Sequence, residues 1–491
     1  MKSKIVIRIR QLFILNAALL TLLASCSIEK QIARSAKAEV LDAKALQTAH
    51  VGISIFEPAA NKYLYNYQGD KYFVPASNTK IPTCYAAMKY LGDSLVGLRY
   101  GFSGNPKDIL AIQPTGDPTL LHPDYKNQPV WDFLVRNVST SKYLAFMDTI
   151  WRDQRWGSGW TWSDYEASYM AERSSFPIYG NVVNIQLNKF ENRGIRQKDT
   201  LPFSLGNTVK LFKTGNKIFD SLVNKDSYLL ENEYKQANPK LNIGREISSN
   251  NFIVSKSSNI FSSTYIPFVV NGTSTARWII EDSLRIKFDK LYPGYNDSVF
   301  TYTGLNIKTI NIVIKKWNKV HSQPTDSLLK PMMHRSDNFF AEQSLLMVSN
   351  EMLGVMNDEK IIDTLLKTDF KDLPQKPRWA DGSGLSRYNL FTPQDFVAIL
   401  NKMKNEFGME RIKVILPTGG EGTISSYYKA DSGYIYGKTG TLSGVVAFSG
   451  YLYTKKGKLL IFSTLVNNHQ ASATDVRRAV EKFLQGVRNK Y

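Results

Sequence analysis

The chain has 491 residues, 43 % of them hydrophobic, which is enough to bury substantial cores in two or three domains and excludes a disordered or fibrous protein. Its formal net charge is +19. A basic surface of this kind suits anionic cell wall, lipid headgroups or nucleic acid, but no nucleic-acid-binding motif accompanies it, so nucleic acid is not an expected partner. The two cysteines, Cys26 and Cys84, exclude a disulfide framework, and the five histidines show no ligand-like spacing, so neither a metal nor any other cofactor is expected.

Lys2, Lys4, Arg8 and Arg10 make a cationic start, and residues 12–23 are mainly apolar. That pattern reads as a signal peptide over residues 1–25 rather than a membrane span, for which it is too short. Leu23-Ala24-Ser25 then leads into Cys26, a run that resembles a bacterial lipoprotein box. Cys26 is therefore the expected lipidated N-terminus, anchoring the protein to a membrane on the periplasmic side of the cell envelope, with the leaflet left open. Residues 26–45 hold no long apolar run and read as a tether.

Residues 51–56 and 62–67 read as two strands joined by a Pro-Ala-Ala-Asn turn. A helix is predicted from about Ser77 to Gly92. Cys84 falls inside it as packed core. Near the other end, 434–442, 445–453 and 458–466 are strand-like runs with short connections. Residues 475–487 carry an apolar stripe of Val476, Ala479, Val480, Phe483 and Leu484, the mark of an amphipathic closing helix. These elements predict an α+β fold in which one antiparallel sheet is assembled from distant segments. Roughly 95–318 is too long for a loop and must be inserted domain material.

Three short motifs occur in order: Ser77-Asn78-Thr79-Lys80, Ser336-Asp337-Asn338 and Lys438-Thr439-Gly440. Each alone is weak, but together they are the signature of penicillin-binding proteins and class A β-lactamases. Ser77 and Lys80 lie three apart at a helix start, so they share one face. A serine hydroxyl needs a base within hydrogen-bond reach, and Lys80 can serve once burial and cationic neighbours lower its pKa. Ser336 can relay a proton to the leaving amine, while Asn338 holds the lysine and the substrate amide. Lys438 and Thr439 can bind a terminal carboxylate. Gly440 lets a substrate backbone approach the strand, and the N–H groups of Thr441 and Ser77 would form an oxyanion hole.

Further runs extend the likeness: Gly116-Asp117-Pro118-Thr119-Leu120, Asp381-Gly382-Ser383-Gly384-Leu385-Ser386-Arg387, Leu416-Pro417, Gly422-Thr423 and Asn467-Asn468. With the trio they make the chain, from about 48 to 485, resemble the class C low-molecular-mass penicillin-binding proteins, the D-Ala-D-Ala carboxypeptidase/endopeptidase family. The resemblance implies a penicillin-binding-protein/β-lactamase-like domain, a five-stranded antiparallel sheet between helices, formed by 46–94 and 319–491. Two smaller domains would be inserted, one from 95–185 with 256–318 and one from 186–255. It further implies Ser77 as the acylated nucleophile, Lys80 as its base, and Ser336, Asn338 and Lys438 as helpers. Arg387 and Asp148 would grip the free end of a diaminopimelate-type stem peptide. The implied substrates are peptidoglycan peptides, with β-lactam antibiotics as covalent inhibitors. A β-lactamase and a non-catalytic peptidoglycan-binding lipoprotein are the alternatives. The first lacks a convincing Glu-centred water-activating loop, and the second should have lost at least one motif residue.

Overall fold

The computed structural model describes residues 28–103, 109–138, 141, 143–187, 242–250, 252–255, 262–284, 289–290, 299–301, 314 and 316–491. The expected signal peptide and Cys26 lie outside the described residues, as does most of the expected second insert. Five strands make the central sheet: β1 (His50–Glu57), β2 (Lys62–Tyr67), β13 (Ile435–Leu442), β14 (Val445–Tyr453) and β15 (Leu459–Asn467). Their order is β13-β14-β15-β1-β2, and every neighbouring pair is antiparallel. The two chain ends thus meet where β1 pairs with β15, Ile53 opposite Thr464.

Both faces of this sheet are covered, and the strands alternate between two cores with period two. Ala447, Tyr451, Ile461 and Leu465 face a core built with helices α1 (Lys80–Tyr90), α2 (Thr325–His334), α3 (Asn338–Leu353) and α4 (Pro393–Ile415). Val446, Phe448, Leu452, Phe462 and Val466 face the opposite core, closed by helix α5 (Ala473–Lys490). The apolar stripe expected over 475–487 supplies Val476, Val480, Phe483 and Leu484 to that second core.

Residues 26–45 are not a free tether over their described part. Residues 28–36 are helical, and Ile32, Ala36, Val40 and Leu46 are buried in the α5-side core. The signal was a stripe at every fourth residue, Ile28, Ile32, Ala36 and Val40, which a search for a continuous apolar run passes over.

The insert contains a six-stranded sheet ordered β10-β11-β5-β4-β3-β12. Its members are β3 (Ser94–Ser103), β4 (Ile109–Pro114), β5 (Tyr143–Phe146), β10 (Asp289–Lys290), β11 (Val299–Thr301) and β12 (Asn318–Pro324). It has its own core, with Leu98, Leu110, Ile112, Leu134, Phe146 and Ile279 fully or nearly buried. Two further strand pairs, β6 (Val182–Leu187) with β9 (Ser262–Pro267) and β7 (Asn242–Arg245) with β8 (Phe252–Ser255), belong to the same insert.

Candidate active site

β13 is an edge strand, so one side of its backbone is free to meet the turn that carries Ser77. That turn is a single 3-10 turn, Ala76–Thr79, running into α1. Ala76 stands in left-handed backbone at φ 48°, a conformation that costs a non-glycine residue roughly 1–3 kcal/mol and persists only where the surroundings impose it. Three contacts do so. Asn467 bonds both the N–H and the C=O of Val74, at 2.8 and 3.0 Å, standing in for a strand partner. The Asn78 amide donates to Ser449 Oγ at 2.7 Å, and that hydroxyl donates to Ser463 Oγ at 2.8 Å, tying the turn to the sheet. Gly384 lies against the Ala76 carbonyl so closely that a Cβ there would come within 1.9 Å of its oxygen.

Lys80 is fully buried, and its Nζ has three oxygen neighbours: Ser77 Oγ at 3.1 Å, Asn338 Oδ1 at 2.6 Å and the Ser383 carbonyl at 2.8 Å. Two of the three can only accept. A neutral amine therefore gives its two N–H groups to Asn338 and Ser383 and keeps its lone pair for the Ser77 O–H. Burial is what lowers the Lys80 pKa to about 8, against the pull of Asp381, Glu342 and Asp337, which favour the ammonium.

The loop 381–389 is held by the Asp381 carboxylate, which accepts from Gly384 N (2.8 Å), Ser386 N (2.7 Å), Asn389 Nδ2 (2.8 Å) and Trp160 Nε1 (2.9 Å). Glu342, one helical turn past Asn338, accepts from Ser383 N at 2.8 Å, and burial pushes its carboxyl up to about 8. Behind it the buried Arg173, from the insert, reaches Glu342 (3.4 Å), Asp358 (2.6 Å) and Asp153 (2.8 Å). Sequence reasoning missed Glu342, Arg173 and Trp160. Asp381 lay inside a quoted run without a role of its own.

Ser336 sits in left-handed backbone, φ 61°, and Asp337 caps α3 by accepting from Phe340 N at 3.0 Å. The cap aims Asn338 inward, and its amide donates to the Tyr169 carbonyl at 3.1 Å, leaving its oxygen for Lys80. Ser336 and Asn338 border a cavity of about 800 Å³ that runs into the insert past Tyr169, Tyr179 and Tyr265.

On the strand side, Gly440 faces the nucleophile: a Cβ there would lie 2.6 Å from the Pro75 carbonyl oxygen and 2.9 Å from Ser77 N. Lys438 is fully buried, donates to the Thr439 carbonyl at 2.7 Å, and has its pKa driven well down by burial and by Lys80 and Arg477. Thr439 Oγ1 lies 2.7 Å from Thr423 Oγ1, and Arg477 donates to Thr441 Oγ1 at 2.5 Å. Arg387 is exposed and donates to the Ser443 carbonyl at 2.8 Å, at the mouth of the same strand edge.

Asp148, expected to grip the free end of the stem peptide, stands among other groups. Its charged neighbours are Arg152 and Arg277, its hydrogen-bonding neighbour is Ser175, and burial raises its carboxyl to about 6. It does not line the cavity beside Ser336.

The model of the D-Ala-D-Ala carboxypeptidase 3 (S13) family matches residues 33–220 and 305–487. The chain belongs to that family. The family and the relatives below make the chain a serine-type D-Ala-D-Ala carboxypeptidase, a hydrolase. Among curated relatives, the D-alanyl-D-alanine carboxypeptidase of Actinomadura sp. (strain R39) is 25 % identical over 468 residues, 88 % of this chain and 80 % of the relative. D-alanyl-D-alanine carboxypeptidase DacB of Haemophilus influenzae is 23 % identical over 98 % of both. The solved structure of penicillin binding protein 4 (dacB) from Haemophilus influenzae superposes with a TM-score of 0.69 at 20 % identity, covering 93 % of this chain and 98 % of that one, which places the α+β architecture within the same fold.

Proposed function

We propose that the chain is a serine-type D-Ala-D-Ala peptidase of the bacterial cell envelope that cleaves peptidoglycan stem peptides through an acyl-Ser77 intermediate and is inhibited by β-lactams. The observation that carries this is the Lys80 amine, held 3.1 Å from Ser77 Oγ by two obligate acceptors from widely separated segments. Ser77 Oγ attacks the D-Ala carbonyl as its proton passes to Lys80 Nζ. The developing oxyanion lies between the N–H groups of Ser77 and Thr441, each such donor contributing roughly 2.7–4 kcal/mol to the transition state. Asn338 holds the substrate amide. Ser336 passes the proton from Lys80 to the departing amine, and the C–N bond breaks. Water then attacks the ester, Lys80 accepts its proton, and Ser77 leaves with a proton returned.

The leaving amino acid carries a carboxylate, for which the Thr439 and Thr441 side chains on β13 offer hydroxyl groups. Arg387, at the strand mouth, suits the free carboxylate of a diaminopimelate-type side chain. The family relationship to D-alanyl-D-alanine carboxypeptidases supports this substrate class. The solved penicillin binding protein 4 has also been captured with a β-lactam, which supports covalent inhibition. The sequence of residues 1–26 supports export and lipid attachment at Cys26. No helix among the described residues is long and apolar enough to cross a membrane. The inserted material reads as two domains, 95–185 with 256–318 and 186–255.

Incubation with a fluorescent penicillin tests the chemistry. Wild type should be labelled covalently, and Ser77→Ala should lose the label by at least about a thousandfold. Label retained in a folded Ser77→Ala protein would place the nucleophile elsewhere, and rapid β-lactam turnover without adduct would favour a β-lactamase.

A further inference from the structure

The strand edge holds an arginine that none of the three motifs contains. Arg477 lies in the first turns of α5, one residue after the buried Val476, and reaches across to β13. Its Nη2 donates to Thr441 Oγ1 at 2.5 Å, and its Nε is buried without a hydrogen-bond partner. No carboxylate among the described residues forms an ion pair with it, although its neighbour Arg478 pairs with Glu481 at 2.5 Å. Its charge also reaches Lys438, where it helps to disfavour the ammonium form. Arg477 and Thr439 border one small cavity, with Tyr427 and Val446 beside them.

A buried or half-buried guanidinium without an acid partner is costly unless an anion completes it. Here the surroundings are polarised to receive one. Thr441 Oγ1 accepts from a cation, so its single proton is free to donate toward solvent, and the exposed Thr441 side chain stands on the open edge of β13. Thr439, two residues along, presents its hydroxyl on the same side of the strand. An anion that accepts from the Thr441 hydroxyl therefore rests on a group that the guanidinium polarises directly.

We infer that Arg477 is a specificity-determining residue: through Thr441 it selects substrates that carry a free carboxylate on the carbon bonded to the scissile nitrogen. This rests on the proposed peptidase function and deepens it. A terminal D-Ala and the D-centre of a cross-linked diaminopimelate both carry such a carboxylate, so one device serves carboxypeptidase and endopeptidase cleavage alike. Arg477 takes no part in the proton transfers, which lie on the Lys80 side of Ser77.

The test compares the full chain and its Arg477→Gln and Arg477→Lys variants on two peptides, an acylated peptide ending in D-Ala-D-Ala and its C-terminal amide. Wild type should prefer the free acid strongly. Arg477→Gln should lower kcat/KM for the acid by ten- to a hundredfold and leave the amide within about threefold, collapsing the ratio. Arg477→Lys should restore most of it. Equal loss on both peptides means that the arginine merely holds α5 against the sheet, and an unchanged ratio means that it does not sense the carboxylate; either overturns the inference. If wild type cleaves neither peptide and is not acylated by penicillin, it is the peptidase reading that fails, and the two failures are distinct.

Discussion

The two walls around Ser77 handle charge in opposite ways. On the helix side, Lys80 has three hydrogen-bond neighbours, and Asp381, Glu342 and Asp337 act on it from close by, with Arg173 balancing the acids in turn. On the strand side, Lys438 and Arg477 push against each other, and no carboxylate appears among the influences on Lys438. In the first wall burial lowers the Lys80 pKa to about 8 and the nearby acids hold it from falling further. The second has the Arg477 guanidinium without an ion-pair partner among the described residues, and under the inference above a substrate carboxylate would complete it. Under the proposed function, one wall serves proton transfer and the other recognition.

The sharpest way to break that division is to force the walls apart. A methyl at position 440 would come 2.6 Å from the Pro75 carbonyl oxygen and 2.9 Å from Ser77 N, both backbone atoms that cannot swing away. Gly440→Ala should lower β-lactam acylation by about a hundred- to a thousandfold, as expected for loss of one oxyanion donor. Overpacking should also cost about 1–3 kcal/mol of stability. Acylation kinetics and a denaturant titration measure the two. If acylation stays within a factor of three, the strand and the serine turn are not the two halves of one oxyanion site.

The next effect is on pH and tests the helix wall alone. With the Lys80 pKa lowered to about 8, the reactive amine is the minor form at neutral pH. Protonation removes the lone pair that faces Ser77, so kcat/KM for acylation should fall as pH drops below about 8, approaching tenfold per unit, and level off above it. A profile flat from pH 6 to 9 would remove Lys80 from the role of base.

Much of this could be read before the structure. The five strands and both flanking helices followed from periodicity and turn residues because those segments are local in character. The trio singled out Ser77, Lys80, Ser336, Asn338 and Lys438 as candidates because the proposed chemistry demands those residue types, and the fold brings Ser77, Lys80 and Asn338 within hydrogen-bond reach. What stayed hidden depends on packing between distant segments. Glu342 and Arg173 are an ordinary glutamate and arginine until folding puts the Arg173 guanidinium behind Asn338's helix. Arg477 looks like any charged residue on an amphipathic helix. Asp148 shows the converse: a carboxylate in the matching stretch of chain says nothing about which way the fold turns it, and here its charged neighbours are Arg152 and Arg277. The helix at 28–36 was missed because its contacts are spaced along a stripe rather than gathered in a run.

The smallest predicted effect joins the two kinds of evidence in a single carboxylate. Asp381 accepts four hydrogen bonds, two on each oxygen, and Asp381→Asn keeps the shape while turning one acceptor into a donor. Whichever way the amide is turned, two N–H donors then meet another donor, and the loss should be about 1–3 kcal/mol for each donor left unsatisfied. The same change removes the largest single influence that favours the Lys80 ammonium. The midpoint of the acylation profile should therefore move to lower pH, because an amine with less anionic support gives up its proton more readily. Measured together, a less stable protein whose acid limb moves toward lower pH would confirm that the 381–389 loop both shapes the site and tunes its base. A midpoint that did not move would mean that Asp381 acts only on the fold, and that the proton affinity of Lys80 is set by burial with Glu342 and Asp337.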